Sequence, residues 1–196
     1  MKKAVILLLL CACSGGREAD KPRESVSASK EAVDVAEEIR PKMGRVSFML
    51  PKGWKLSRVQ PPQQKDVESI SFIRKVDEKL WENPGPLGTS MLPTMNIMIS
   101  LRPENAPRDD IEPSKLSKQL IKQRVITELV HADEIKIDGL AATRIVGDTP
   151  DQGRIWIVLL AHGGYLYKWT LYGASAKDAD AHKGIELLLS TVKVNR

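Results

Sequence analysis

Apolar positions along this chain recur with two different periods, and the switches between them set the expected order of elements. Val46, Phe48 and Leu50 alternate with polar or flexible residues, which predicts a strand that Pro51-Lys52-Gly53 ends just before Trp54. Ile70 and Phe72 in VESISFIRK predict a second strand, and Ile97, Ile99 and Leu101 line one face of a third. Between these two, the prolines and glycines of Trp81 to Pro93 (WENPGPLGTSMLP) predict a loop. Pro113 suits the first turn of a helix, and Leu116, Leu120, Ile121, Val125 and Leu129, mostly four apart, give that helix one buried face.

The second half returns to strand spacing. EIKIDG reads as a short strand closed by an Asp-Gly turn, and LAATRIVGD as the strand that pairs with it. GRIWIVLLAH and YLYKWTLYG are the most apolar strands, joined at Gly163-Gly164, where two glycines allow the positive φ angles of a tight hairpin. Their apolar residues fall on both faces, which predicts a hairpin at the centre of a sheet and covered on both sides. A last helix is expected to open with Ser175 as N-cap and Asp178 three residues on, and to pack through Ile185, Leu188, Leu189 and Val192. The fold class is α+β: a twisted antiparallel sheet of about six to seven strands flanked by two helices.

The N-terminus follows another logic. Lys2 and Lys3 precede the apolar run Ala4 to Leu10, and Leu10, Ala12 and Cys13 resemble the lipobox of bacterial lipoprotein signals. Cys11 would place the bulky Leu10 next to the cleaved bond, so Cys13 is the better acceptor. The resemblance implies residues 1–12 as a signal peptide and Cys13 as an acylated N-terminus holding the protein to a membrane, with a start upstream of Met1 left open. Several acyl chains anchor stably where one does not. Ser14 fits outer-membrane sorting, facing the periplasm, if the source is Gram-negative. Residues 13–43 are rich in Ser, Ala, Lys and Glu and lack aromatics, which predicts a tether. Within it Glu31 to Arg40 could form a short helix capped by Ser29. The single folded domain is then 44–196.

Composition narrows the function. The formal net charge of +5 falls to +3 once Lys2 and Lys3 leave with the signal, and the basic residues are interleaved with acidic ones. That pattern, with an exported address, excludes a nucleic-acid footprint. With Cys13 acylated and Cys11 removed no thiol is left for a disulfide, so the core must stabilise the fold unaided.

Phe48-Met49-Leu50-Pro51-Lys52-Gly53-Trp54 resembles the F-x-x-P-x-G-W opening of the Mog1/PsbP-like superfamily. Asp138-Gly139-Leu140-Ala141-Ala142 resembles its G-x-x-A turn, and Gly163-Gly164-Tyr165-Leu166-Tyr167 its aromatic strand after the hairpin. The resemblance covers about Gly44 to Arg196 and takes in DcrB-like and LpqN-like lipoproteins. It implies the same fold and a non-catalytic role in binding or stabilising partner proteins.

Candidate chemistry is sparse. His131, His162 and His182 lack the spacing that presents two ligands to one ion, and no nucleophile elbow, phosphate loop or CxxC pair occurs. No catalytic residue and no cofactor is expected. Met91, Met95 and Met98 are weak candidates for a soft metal such as Cu(I), but Met95 and Met98, an odd number apart on a strand, would face opposite ways. Trp54, Trp156 and Trp169 read as core. Trp81, at the head of the Pro/Gly loop, is the candidate partner-binding aromatic, with Arg102 as its candidate neighbour. The expected function is a lipid-anchored cell-envelope interaction or accessory module with an envelope protein partner. The alternatives are an envelope metal- or small-ligand-binding protein and, less favoured, a hydrolase.

Overall fold

The computed structural model describes residues 35–57, 65–83, 92–103, 105–107, 111–151 and 153–195. The signal, Cys13, the tether as far as residue 34 and Met91 lie outside the described residues. In chain order the elements are β1 (Val35–Ile39), β2 (Val46–Pro51), β3 (Trp54–Leu56), β4 (Val67–Arg74), a 3-10 turn (Lys75–Asp77), α1 (Glu78–Glu82) and β5 (Thr94–Leu101). There follow α2 (Pro113–Lys122), β6 (Glu128–Ile137), β7 (Leu140–Asp148), β8 (Gly153–His162), β9 (Tyr165–Ser175), α3 (Ala179–Thr191) and β10 (Lys193–Val194).

Seven strands form one antiparallel sheet in the order β3-β4-β5-β9-β8-β7-β6. The β8–β9 hairpin occupies its middle, as the two-sided apolar pattern predicts, and Gly163 (φ 57°) and Gly164 (φ 80°) make its turn. Strand alternation divides the core in two. Trp156, Val158 and Leu160 join Tyr167, Trp169, Leu171, Met95, Ile97 and Ile99 on one face, under β2 and α3. Ile157 and Leu159 join Ile145 and Ile126 on the other, under Leu116 and Leu120 of α2. A second small sheet, β1-β2-β10, supplies Val46, Phe48, Leu50 and Val194 to the first face, where the Phe48 and Phe72 rings meet edge to face at 6.1 Å.

Three local expectations are corrected. Val35–Ile39 is a strand paired antiparallel with β2, with Ile39 opposite Phe48, rather than part of a helix. The expected short helix there loses to the open hydrogen-bonding edge of β2. Pairing therefore begins upstream of Gly44. Helix α2 stops at Lys122, so Val125 and Leu129 are not on it and His131 lies within β6. Arg124 adopts φ 57°, Val125 N–H bonds Leu120 C=O at 2.9 Å and Arg124 N–H bonds Ile121 C=O at 3.0 Å, which is a Schellman stop. An arginine holds the place where glycine usually signals it.

Helix α3 is capped by Asp178, whose carboxylate accepts from Ala181 N–H at 3.0 Å. Ser175 remains the last residue of β9 and its hydroxyl accepts instead from Lys177 N–H at 3.3 Å. Leu101 shares the face of Ile97 and Ile99, as the alternation predicts, and at the end of β5 it is 55% exposed. Among the described residues no helix is long and apolar enough to cross a membrane.

Two cross-strand ion pairs brace the β6–β7–β8 edge. The Arg154 guanidinium bonds Asp148 at 2.7 Å and holds its carboxyl below the usual carboxylate range, and Arg144 does the same for Asp133. Because these carboxyls hold protons less tightly folded than unfolded, their contribution is present above about pH 4 and lost as pH falls through the depressed folded values. Both pairs are solvent-screened, so each contributes at most about 1 kcal/mol. Denaturant melts of Arg154→Gln should accordingly show a smaller drop in stability from pH 5 to pH 2.5 than the wild type; an equal drop would contradict the pairing. Arg124→Gly should raise stability by about 0.5–1 kcal/mol by relieving the left-handed backbone, read as a higher Tm.

Candidate functional site

A cleft of about 330 Å³ lies between the β2–β3 turn and α3. Three local features open it. The β2–β3 turn passes through Pro51, Lys52 and Gly53, and Gly53 takes φ 88°, a conformation that L side chains rarely adopt. Trp54 then enters β3 and forms one wall. The other wall is a single stripe of α3, Asp180, Lys183, Gly184 and Leu187, at the i, i+3, i+4, i+7 spacing of one helix face. Gly184 is where helix and indole meet: a Cβ there would lie 2.7 Å from Trp54 Nε1 and 3.1 Å from its Cε2.

Arg74 braces the cleft. Its Nε donates to Asp77 at 2.6 Å, and its Nη1 donates to the two Asp178 oxygens at 3.1 and 2.9 Å. Because Asp178 also caps α3, this guanidinium ties the end of β4 to the first turn of the helix. Its positive charge is offset by two carboxylates within the fold. Lys52, Asp180 and Lys183 also line the opening, with Val76, 81% exposed, on the rim.

Two smaller cavities accompany it. One of about 180 Å³ lies at the start of α2, between Pro113 and Thr143, whose hydroxyl donates to Ile111 C=O. Another, of about 110 Å³, is lined by Arg102, His162 and Tyr165.

Of the sequence-predicted site residues, Arg102 lines the smallest of these three cavities, and Trp81, Met95 and Met98 line none of them. Trp81 sits inside α1 rather than at the head of a loop, and is half-buried, with its indole N–H buried and without an acceptor among the described residues. Arg102 follows the last residue of β5, held by Nη2–H to Pro107 C=O at 2.7 Å and by its N–H to Gly164 C=O at 2.8 Å. Met95 is buried in the core on the face that carries Ile97, while Met98 points to the other face. Trp54, Trp156 and Trp169 are core residues, as the alternation predicts.

The three histidines lie on three different elements: β6, the end of β8 and α3. Trp156 Nε1–H donates to His182 Nδ1 at 3.1 Å, with the rings stacked at 6.1 Å. This assigns the proton to His182 Nε2, which donates to Ser175 C=O at 3.0 Å. Both ring nitrogens are therefore used in fastening α3 to β8 and β9. Nothing in the spacing of Trp156 and His182 announces this contact, because a helix and a strand meet there only in the folded state. The cleft was equally hidden, although the 180-183-184-187 spacing on α3 was available as a signal. Among the described residues no group of three or more His, Cys, Asp or Glu is arranged to hold a metal.

No family model and no curated protein sequence matches this chain. Solved structures do. The solution structure of cyanobacterial PsbP (CyanoP) from Synechocystis sp. PCC 6803 aligns with a TM-score of 0.57 at 14% identity, over 86% of this chain and 98% of that one. The crystal structure of LpqN, involved in cell envelope biogenesis of Mycobacterium tuberculosis, aligns with a TM-score of 0.51 at 10% identity, over 82% of this chain and 91% of that one. The likeness is one of fold: this α+β domain has the PsbP/Mog1-like architecture.

Gly184→Ala tests the close approach that shapes the cleft. Alanine gains about 1 kcal/mol of helix propensity, but the clash with the Trp54 ring should outweigh it by about 1–2 kcal/mol of overpacking. The expected outcome is a lower Tm with a shifted tryptophan emission; a higher Tm would show that the indole moves aside freely.

Proposed function

We propose that this chain is a lipid-anchored, non-catalytic protein of the bacterial cell envelope that serves as an interaction or accessory module for an envelope protein partner. The observation that carries the reading is the Leu10-Cys11-Ala12-Cys13 segment behind a basic and apolar leader, which makes Cys13 the attachment residue. The shared fold with LpqN, a protein involved in cell envelope biogenesis, supports an envelope role. The shape of the cleft supports binding over turnover. Its charged groups are two lysines, a structural arginine and one aspartate, and Arg74 is already engaged by Asp77 and Asp178. No described pair of groups stands there as a nucleophile beside its base.

A small-ligand reading has one observation in its favour, because the cleft volume reaches the lower end of the range for ligand pockets. A ligand that binds only the folded state raises the Tm with concentration, and a screen showing such a rise would favour that reading.

Anchoring is tested by labelling cells with a palmitate analogue and partitioning the lysate into detergent. The wild type should carry label and enter the detergent phase, and Cys13→Ser should lose both properties; an unlabelled, aqueous wild type would overturn the proposal.

A further inference from the structure

We infer that His182 is a pH-operated latch: neutral, it fastens the first turns of α3 to the sheet, and on taking a second proton it releases them. This goes beyond the interaction role proposed above and holds whatever the chain binds. The argument starts from which atoms can donate. An indole nitrogen is a donor only, so His182 Nδ1, 3.1 Å from Trp156 Nε1, must be the acceptor. A carbonyl oxygen can only accept, so His182 Nε2, 3.0 Å from Ser175 C=O, must carry the proton. One protonation state of the ring satisfies both partners, and it is the neutral one. An imidazolium carries N–H on both nitrogens, so it turns a hydrogen toward the indole N–H and leaves that donor without its acceptor. The ring is only partly buried, so protons reach it, and histidine ordinarily changes charge between about pH 5 and 8.

The charges around the ring give the protonated form a second partner. Asp148, at the end of β7, interacts electrostatically with His182 and is bonded by Arg154 of β8 at 2.7 and 3.2 Å. Arg154 in turn interacts with Glu128 of β6. Beside Ser175 of β9, Lys177 is the next cation along the chain. Four residues before and after His182 stand Asp178, already committed to Arg74 and Ala181 N–H, and the exposed Glu186. An imidazolium is therefore drawn toward Asp148 and Glu186 and away from Trp156, so each charge state of the ring has its own set of contacts. The helix start is also tied by Arg74 to Asp178, and Ile185 and Leu188 remain packed on the core. Protonation thus loosens the first turns of α3 and leaves the domain folded. Asp180, Lys183 and Gly184 on those turns form one wall of the cleft, so its shape follows the latch.

The test follows the whole chain by NMR and amide hydrogen exchange from about pH 7.5 to about pH 5. At the upper pH the His182 ring nitrogens should report the Nε2–H tautomer with Nδ1 unprotonated. As His182 titrates, the Trp156 Nε1–H resonance should shift and its exchange should quicken. Exchange at the amides of His182 to Glu186, corrected for its intrinsic pH dependence, should speed up at least about tenfold relative to the β9 amides. His182→Asn sets an uncharged acceptor oxygen where Nδ1 stands, so this variant should keep the Trp156 signal and slow α3 exchange at both ends of the range. His131→Gln and His162→Gln, on other elements, should respond as the wild type does. An Nδ1–H tautomer at the upper pH, or a Trp156 signal that stays constant while His182 titrates, would overturn the proposal in the wild type alone. An equal pH response in His182→Asn, or exchange that quickens to the same degree across the whole sheet, would overturn it as well.

Discussion

The constraint on which this structure depends is that its central hairpin is apolar on both faces. Trp156, Val158 and Leu160 face one way along β8, and Ile157 and Leu159 face the other. A strand buried on both sides must have a layer on each, so α2 is required against one face and β2 with α3 against the other. Each buried aliphatic side chain contributes about 1.5–3 kcal/mol on this basis, far more than any of the surface ion pairs. The outer strands can then be polar or short, as β3 is.

The side chains that lock the layers are polar, and each is matched to a partner. Trp156 donates to His182, which donates to Ser175, fastening α3 across the end of the sheet. Tyr167 shows the same economy in the core: its hydroxyl accepts from Arg45 N–H at 3.2 Å, its ring packs where a Cβ on Gly44 would stand, and burial raises its hydroxyl above the ordinary range. Trp169 differs, since its indole N–H is buried without an acceptor among the described residues. Its stacking on Tyr167 at 5.9 Å and the area it buries offset that loss. The cleft arises from the same joint between α3 and the sheet, because Arg74 and Asp178 set the helix start and Gly184 sets how closely it approaches Trp54.

Legibility followed the range of the determining force. Elements with strong periodicity, such as β8, β9 and the start of α2 at Pro113, are readable because burial selects apolar residues at fixed intervals. Endpoints are less so. The α2 stop carries no glycine to mark it, because Arg124 takes the backbone conformation usually given to glycine, and the strand character of β1 depends on its pairing with β2 rather than on its own residues. Trp81 read as an exposed loop aromatic because the prolines and glycines that follow it mark a loop, and the short helix before them left only a weak trace.

By itself the sequence determined the α+β class, the central hairpin, the two flanking helices and the separation of Met95 from Met98, all of which follow from local periodicity and chain geometry. The tertiary structure alone decided which distant residues meet. It set Trp81 into a short helix, joined Arg74 to Asp178 and Trp156 to His182, and opened a cleft between a turn and a helix more than a hundred residues apart. Such contacts have no period to betray them, because they are selected by the packing of whole layers and not by the order of neighbours in the chain.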